Sequence, residues 1–585
     1  MRNLKKLMGL VLALTCAIGC FTACGSDDKQ KDETPTEDIT AGAKYKELNA
    51  IEFTEVMGNG INLGNTLEAY GHASYGTSSA TSVYETAWGM PVTTKEMIQG
   101  MKDAGFDSIR VPVAWTNMMN YESGDYTINE AYINRVGEII EWAIEADMVV
   151  VVNDHWDGDW WAMFGSADQA TRDKAMELYT SMWTQLAEAY KEYDYHLVFE
   201  SGNEEMGTRL NDEWNKQTGV LTEDECYETT NTINQKFVDI IRASSSYNKD
   251  RFLLIAGYNT DIDKTVDDRY KMPTDTADGK LIVSVHYYTP SGYCIESGIS
   301  SWYTQANVQL MNDYLAKLTK FTDAGYGVII GEYGVLIEGQ TELKKDTVEY
   351  MENFLANCDY YGYCPILWDC NNQYNRNECK MEFDEVAKIF TKAKETLAEN
   401  VKPAAESTMK KLLNNAPAGE IVPDDEARAW IMFQGHDWQV AYRVGDTYPE
   451  GETEGLVATD VTVTGAGTYT VALDFTGTSF GKATNINFSA LGILHGETLF
   501  PGYYIDIKEV KVNGEVYTLN GKPYTTADDG ICTRVNLYNE WVPEVPLEEA
   551  RVSDGDLTGV TAMPIDGTTI GDIQTIEITF EYVAP

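Results

Sequence analysis

LVFESGNEE, residues 197–205, is the stretch on which the reading of this chain turns. A short run of strand-like, largely apolar character enters a small-residue bend at Ser201-Gly202, after which Asn203 and Glu204 stand together. A carboxylic acid at the C-terminal end of a buried parallel strand points into the mouth of a barrel or crevice, where function sits. An isolated Asn-Glu is usually no more than a strand end followed by an acidic loop. Here a second glutamate, Glu332, closes a similar strand in GVIIGEYG (327–334). Two further apolar runs, VVVVND and LIVSV, end in His155 and His286. Their order along the chain is the one an eight-stranded β/α barrel generates.

Outward from this stretch the alternation continues in both directions. Apolar runs at 57–65, 106–115, 148–156, 251–257, 281–288, 327–334 and 363–369 join it to make eight candidate strands. The run MVVVVNDHW is near-continuous in β-branched residues, the signature of a strand buried on both faces. Helical periodicity separates the runs. Thr93 and Glu96 have capping-box spacing before Met97, Ile98, Met101 and Ala104, and Gly105 sits at a C′ position. Ile133, Val136, Ile139, Ile140 and Ala143 line one face of a second helix, and Thr222 with Glu225 caps another. Eight strands alternating with helices predict a (β/α)8 barrel over 46–402. A doubly wound nucleotide fold would want a glycine-rich phosphate turn, and Asn-Leu-Gly-Asn after the first strand is not one.

The texture changes at Pro403. Residues 403–424 read as a helical or irregular linker. Residues 425–585 read as short strands: period-two alternation flanks a Gly-Ala-Gly turn at 465–467, and Asn513-Gly514 marks a hairpin tip. An antiparallel β-sandwich, jelly-roll-like, is expected. At the other end, Arg2, Lys5 and Lys6 precede an apolar run from Leu7 to Phe21 that is short for a spanning helix. FTACGS (21–26) then has the pattern of a bacterial lipobox with Cys24 as the lipidated residue. We read 1–24 as a lipoprotein signal peptide and 25–45 as a flexible acidic tether, so that membrane contact is through acyl chains alone and the protein is exported to the cell surface. Of ten cysteines, the seven beyond the signal region show no metal spacing. Seven is odd, so at least one is free or paired to another chain, and a Cys370–Cys379 bridge stays open. A net charge of −48 over 585 residues argues against nucleic acid as a partner. The 13 tryptophans and 36 tyrosines hint at flat, weakly polar ligands such as sugars. A monomer is expected.

The ends of the barrel strands carry the chemistry. The second offers Arg110, the third His155, the fourth Asn203 and Glu204, the sixth His286 with Tyr288, the seventh Glu332 and the eighth Trp368. Each alone has an ordinary structural explanation; six strands placing such residues at one face do not. Two carboxylates in one low-dielectric mouth, with a cation and histidines around them, suit double displacement at an acetal. The histidines and glutamates lack the short-range spacing of a metal site, and no metal or cofactor is expected.

VFESGNE, IRVPVAW, NDHW, SVHYY, IIGEYG and ILWD, with INLGNTLEAYG (61–71) and ETAWGMP (85–91), resemble glycoside hydrolase family 5, the cellulase-type retaining barrels. The resemblance covers about residues 50–400. It implies Glu204 as general acid/base and Glu332 as nucleophile, with Asn203 on the sugar 2-hydroxyl. Arg110 and Tyr288 would steady the nucleophile, His155 and His286 would position substrate and acid/base, and Trp368 would stack beneath the sugar. Glu205 stands where many relatives have proline, and Trp156 where many have a second histidine. These departures bear on the subfamily and so on the substrate. The implied activity is endo-hydrolysis of β-1,4-glucan, cellulose-type or xyloglucan, with mixed-linkage glucan or mannan as alternatives. A non-catalytic surface glycan-binding lipoprotein is the reading from another class. Trp156, Trp160 and Trp161 are expected as stacking platforms, and the sandwich, rich in aromatics, as a binding module for the barrel's substrate.

Overall fold

The computed structural model describes residues 41–585 except 71–74, 213–217, 296–298, 336–341, 397–400, 418–421, 424, 443–451, 529 and 543. The expected signal peptide, Cys24 and most of the tether lie outside the described residues.

Eight parallel strands close a barrel. They are β1 (Gly60–Asn62), β2 (Ser108–Val111), β3 (Val149–Val152), β4 (Leu197–Glu200), β5 (Leu253–Ala256), β6 (Leu281–Tyr287), β7 (Gly327–Tyr333) and β8 (Cys364–Leu367). Each pairs with its sequence neighbours, and β1 closes against β8. Every strand residue is buried, because helices cover the outside while side chains fill the interior. All eight lie within the runs read from the sequence. Parallel register then does something sequence spacing cannot: it sets Asn62 beside Arg110 and His286 beside Glu332.

The helix Lys95–Ala104 ends at Gly105, whose φ of 113° is left-handed, as expected. Its N-cap is Thr94, one residue later than the Thr93–Glu96 spacing suggested. Helix Glu223–Ala243 has the full capping box of Thr222 and Glu225. The stretch 403–424, read as a helical or irregular linker, is helical over its first part. It begins inside helix Val401–Asn415, which packs on helix Thr347–Tyr361 and buries Ala405 and Leu412. Tyr303 donates to the Leu412 carbonyl at 2.8 Å, and the Gln305 amide donates to Pro417 at 2.9 Å. Apolar burial and these bonds make the helix part of the barrel's outer layer.

Beyond it lies a second hydrophobic core between two antiparallel sheets. One contains Ala427–Gly435, Ile486–Leu494 and Cys532–Tyr538; the other contains Gly467–Asp474, Tyr504–Val512 and Thr575–Val583. Ile431, Phe433, Leu491, Val535, Ile578 and Phe580 meet between them. The hairpin at Asn513-Gly514 forms as read, both residues at positive φ. At the Gly-Ala-Gly turn the chain changes sheets rather than folding back: Val461–Val463 pairs with Ala427–Ala429, and Gly467–Asp474 with Thr575–Tyr582.

Candidate active site

Arg110 is the hub at the mouth of the barrel. It is fully buried, so its guanidinium must be met by polar partners on every side. Nε donates to Glu200 Oε2 at 2.7 Å, Nη1 to Glu332 Oε1 at 3.0 Å and to Asn62 Oδ1 at 3.1 Å, and Nη2 to Asn203 Oδ1 at 2.8 Å. A guanidinium only donates, so the oxygen of the Asn203 amide faces it and the NH2 is turned the other way. Glu200 is itself buried and takes a second bond from Ser284 Oγ at 2.7 Å.

Glu332 accepts from Arg110 on one oxygen and from the Tyr288 hydroxyl on the other, at 3.1 Å. Burial pushes its carboxyl above the usual range, against the pull of His286 and Arg110. Glu204 sits nearer solvent. Its Oε1 lies 2.9 Å from His286 Nδ1, and its Oε2 accepts from Arg209 Nη1 at 2.9 Å. Burial raises this carboxyl, but the His286 hydrogen bond and the charges of Arg209 and Arg110 outweigh it and hold Glu204 at about 2. In the unliganded protein, then, the charge order opposes the roles the resemblance implies: Glu204 is held ionised and Glu332 is the carboxyl pushed up. The lowering comes first from His286 and then from Arg209, the latter absent from the sequence reading. Arg209 belongs to the turn Thr208–Asn211, which Asn259 pins by accepting from Thr208 and donating to the Glu204 carbonyl.

An oxygen of Glu204, a ring nitrogen of His286 and an oxygen of Glu332 all lie within 4.8 Å of one another. Each carboxylate already faces an arginine, which leaves little electrostatic room for a metal cation among them. The close approach of His286 needs Gly331, where a Cβ would come within 3.2 Å of the imidazole Nε2. His155 lies 3.8 Å from Glu332 and is stacked on Trp368, with centroids 5.7 Å apart and planes 11° apart. Burial, then the charges of Arg110 and His286, hold His155 well below the usual histidine range, so it is neutral. Trp368 in turn needs Gly64, since a Cβ there would lie 3.0 Å from the indole and 2.6 Å from the Asp369 carbonyl. A cavity of about 190 Å3 opens beside Glu204, lined by Asn259, Asp261, His286, Tyr288 and Tyr314.

All eight barrel residues read from the sequence thus converge on one mouth. The aromatic platforms do not all follow. Trp160 and Trp161 are core residues, 0% and 1% exposed, stacked on each other and fixed by a bond from Trp161 Nε1 to Asp154. Trp156 is 40% exposed and lies under the Arg209 guanidinium, 5.5 Å from its carbon. Tyr70 and Trp88, an exposed edge-to-face pair on the loop after β1, were not anticipated. Glu205 is buried, and burial with the Glu204 charge pushes its carboxyl well up, so it is a neutral acid beside the acid/base candidate. Cys226, Cys294, Cys358, Cys364 and Cys379 are free thiols, so Cys379 does not bridge Cys370.

A parallel barrel with two carboxylates, one held by an arginine and a tyrosine, at the C-terminal ends of β4 and β7 is the architecture of a glycoside hydrolase. The family model described as cellulase (glycosyl hydrolase family 5) matches residues 72–374, and the chain belongs to that family. It is 31% identical over 359 residues to endoglucanase A of Paenibacillus barcinonensis, covering 56% of this chain and 84% of that one. It is 30% identical over 343 residues to a xyloglucan-specific endo-β-1,4-glucanase of Bacteroides ovatus, covering 55% of this chain and 65% of that enzyme, just under two thirds of its length. A broad-specificity endoglucanase of Ruminococcus champanellensis with bound cellotriose superposes with a TM-score of 0.52 at 31% identity, over 59% of this chain and 98% of that one.

Proposed function

We propose that this chain is an endo-acting, retaining β-1,4-glucanase that takes cellulose-type glucan or xyloglucan. One observation carries the stereochemistry: the carboxyls of Glu204 and Glu332 approach within 4.8 Å. Retaining glycosidases hold their pair at about 5–5.5 Å, whereas inverting ones leave about 6.5–9.5 Å for a water. Glu332 attacks the anomeric carbon as Glu204 protonates the departing oxygen, forming a glycosyl ester on Glu332. Glu204 then takes a proton from water, which attacks the same carbon, and the ester bond breaks. Arg110 and Tyr288 hold the charge that returns to Glu332. For the first step Glu204 must carry a proton, which its contact with Arg209 opposes. Sugar entering the cavity beside Glu204 excludes water from it, and that change raises the carboxyl toward its working range.

The choice of glucan rests on what relatives are described as taking. The Bacteroides ovatus enzyme is called xyloglucan-specific and has been seen with a xyloglucan heptasaccharide. Mixed-linkage glucan or mannan is the alternative, and a panel of purified polysaccharides decides; activity on mannan alone would sink the glucanase reading. Glu332→Ala should abolish hydrolysis, and NMR of the first product should show the β-anomer. A first-formed α-anomer would refute retention. We further propose export as a lipoprotein anchored through Cys24, and a glycan-binding role for the sandwich. Cys24→Ser should release the protein from the membrane fraction.

A further inference from the structure

We propose that the outer face of the sandwich's larger sheet, around Phe488, Trp438 and Trp541, is a binding site for a neutral β-glucan chain, separate from the barrel cleft. The proposal deepens the binding role suggested above by assigning it to a place. Residues directly opposite in an antiparallel pair share a face. Phe433 and Leu491 point into the core, so Gln434 and Phe488, paired across Ala427–Gly435 and Ile486–Leu494, point outward. Arg534 and Asn536, opposite Gly492 and Ala490, stand on that same face. The Arg534 guanidinium lies over the Phe488 ring at 5.3 Å.

Two indoles rise at one end of this face. Trp541 is 56% exposed, the most exposed aromatic among the described residues, and its ring lies 6.3 Å from Phe488 and 5.4 Å from Trp438. Trp438 is held there at a cost. His436, Asp437 and Trp438 all have positive φ, 52°, 52° and 68°, a region that L residues with side chains seldom occupy. Asn485 and Asn487 hold the bend, accepting from the Asp437 and Trp438 amides at 3.1 Å each. A second observation points to a ligand. Gln434 is only 8% exposed, yet its side-chain oxygen has no hydrogen-bond partner, although it lies directly across from Phe488. A buried amide oxygen without a partner is costly, and a ligand hydroxyl would satisfy it once the covered amide turns toward the Phe488 ring.

These features select the occupant. Pyranose rings present apolar C–H faces to aromatic planes and hydroxyls at their rims, which matches three clustered rings with an amide acceptor beside them. An anionic polymer would meet one arginine on a chain of net charge −48, so a neutral glycan fits and nucleic acid does not. The neutral glycan already implied by this chain is the barrel's own substrate.

The test uses the full chain carrying Glu332→Gln, titrated with cellohexaose by calorimetry. Two sites per chain are expected, and one when Trp438→Ala and Trp541→Ala are added. Trp541→Ala alone should weaken the second site at least tenfold while Trp541→Tyr restores it, and neither should move Tm, since this side chain is mostly in water. On the Glu332 background, hydrolysis of an aryl β-cellobioside should be unchanged by the sandwich substitutions. One site in the parent, or two that persist in the double variant, would overturn the proposal. Failure to hydrolyse any β-glucan, with the Trp541-dependent site intact, would instead overturn the catalytic reading alone.

Discussion

Arg110 makes four hydrogen bonds, and two of its partners are carboxylates buried with it. Lysine carries the charge without the fork, so Arg110→Lys cannot reach Glu200, Glu332 and Asn203 at once. Glu200 would be left as a buried, uncompensated charge, at a cost of about 3–5 kcal/mol. The expected result is a large fall in Tm together with a loss in kcat on the order of 10²-fold or more, the scale of losing an electrostatic contact at a reacting group. Retained Tm with lost activity would mean that the Glu200 pair contributes nothing to folding. Arg209 makes a cleaner prediction. The basic limb of kcat/KM reports loss of the proton from the general acid in the free enzyme. Arg209 favours the ionised form of Glu204, so removing it raises that pKa. Arg209→Ala should therefore move the basic limb to higher pH, while Arg209→Lys keeps it near its original place. A limb that does not move would show that the ion pair is absent in solution.

Elements are held by their ends as much as by their faces. His196 enters β4 at the bottom of the barrel, with Nδ1 2.8 Å from Asp194 and Nε2 3.1 Å from Asp147. Burial alone would lower its pKa, but these two carboxylates outweigh that and raise it, and they are themselves lowered. A raised histidine stabilises the fold fully below its unfolded pKa of about 6.5 and loses that contribution as pH rises through the folded value. The lowered aspartates contribute above their unfolded value of about 3.9 and lose it in acid. Tm should thus fall on both sides of a weakly acidic plateau. His196→Asn should flatten the decline between neutral and alkaline pH; an unchanged slope there would place the titrating group elsewhere. Helix Val401–Asn415 makes the other prediction. A chain ending at residue 417 should keep the barrel's Tm and its hydrolysis of a small aryl glycoside, because it retains the bonds through Leu412 and Pro417. Ending at residue 400 strips the cover from helix Thr347–Tyr361 and should lower Tm by several degrees.

At the scale of the molecule, the largest hydrophobic core among the described residues draws on residues 61–416 and the sandwich core on residues 422–582, and each set of sequence patterns foretold its own core. The barrel was legible because a strand buried on both faces must be a continuous apolar run, and that is a property of the chain itself. The mouth residues were legible for the same reason: Arg110, His155, Glu204 and Glu332 interrupt or end such runs. Glu200 broke the rule from inside LVFE, but a charge at a strand's last residue cannot be told from a loop until its partner, Arg110, is seen across the barrel. Exposure was not legible. Trp160 and Trp161 have the same chemistry as Trp156, and only packing made two of them core and one surface. The same holds in the sandwich, where Trp430 is buried and Trp541 is not. Sequence alone determined the two folds and which strand ends carry polar residues, because hydrophobic period and the residue that ends each apolar run are local properties. Tertiary structure alone decided the charge state of the Glu204–Glu332 pair and which aromatics face solvent, because both depend on distances between residues far apart in the chain.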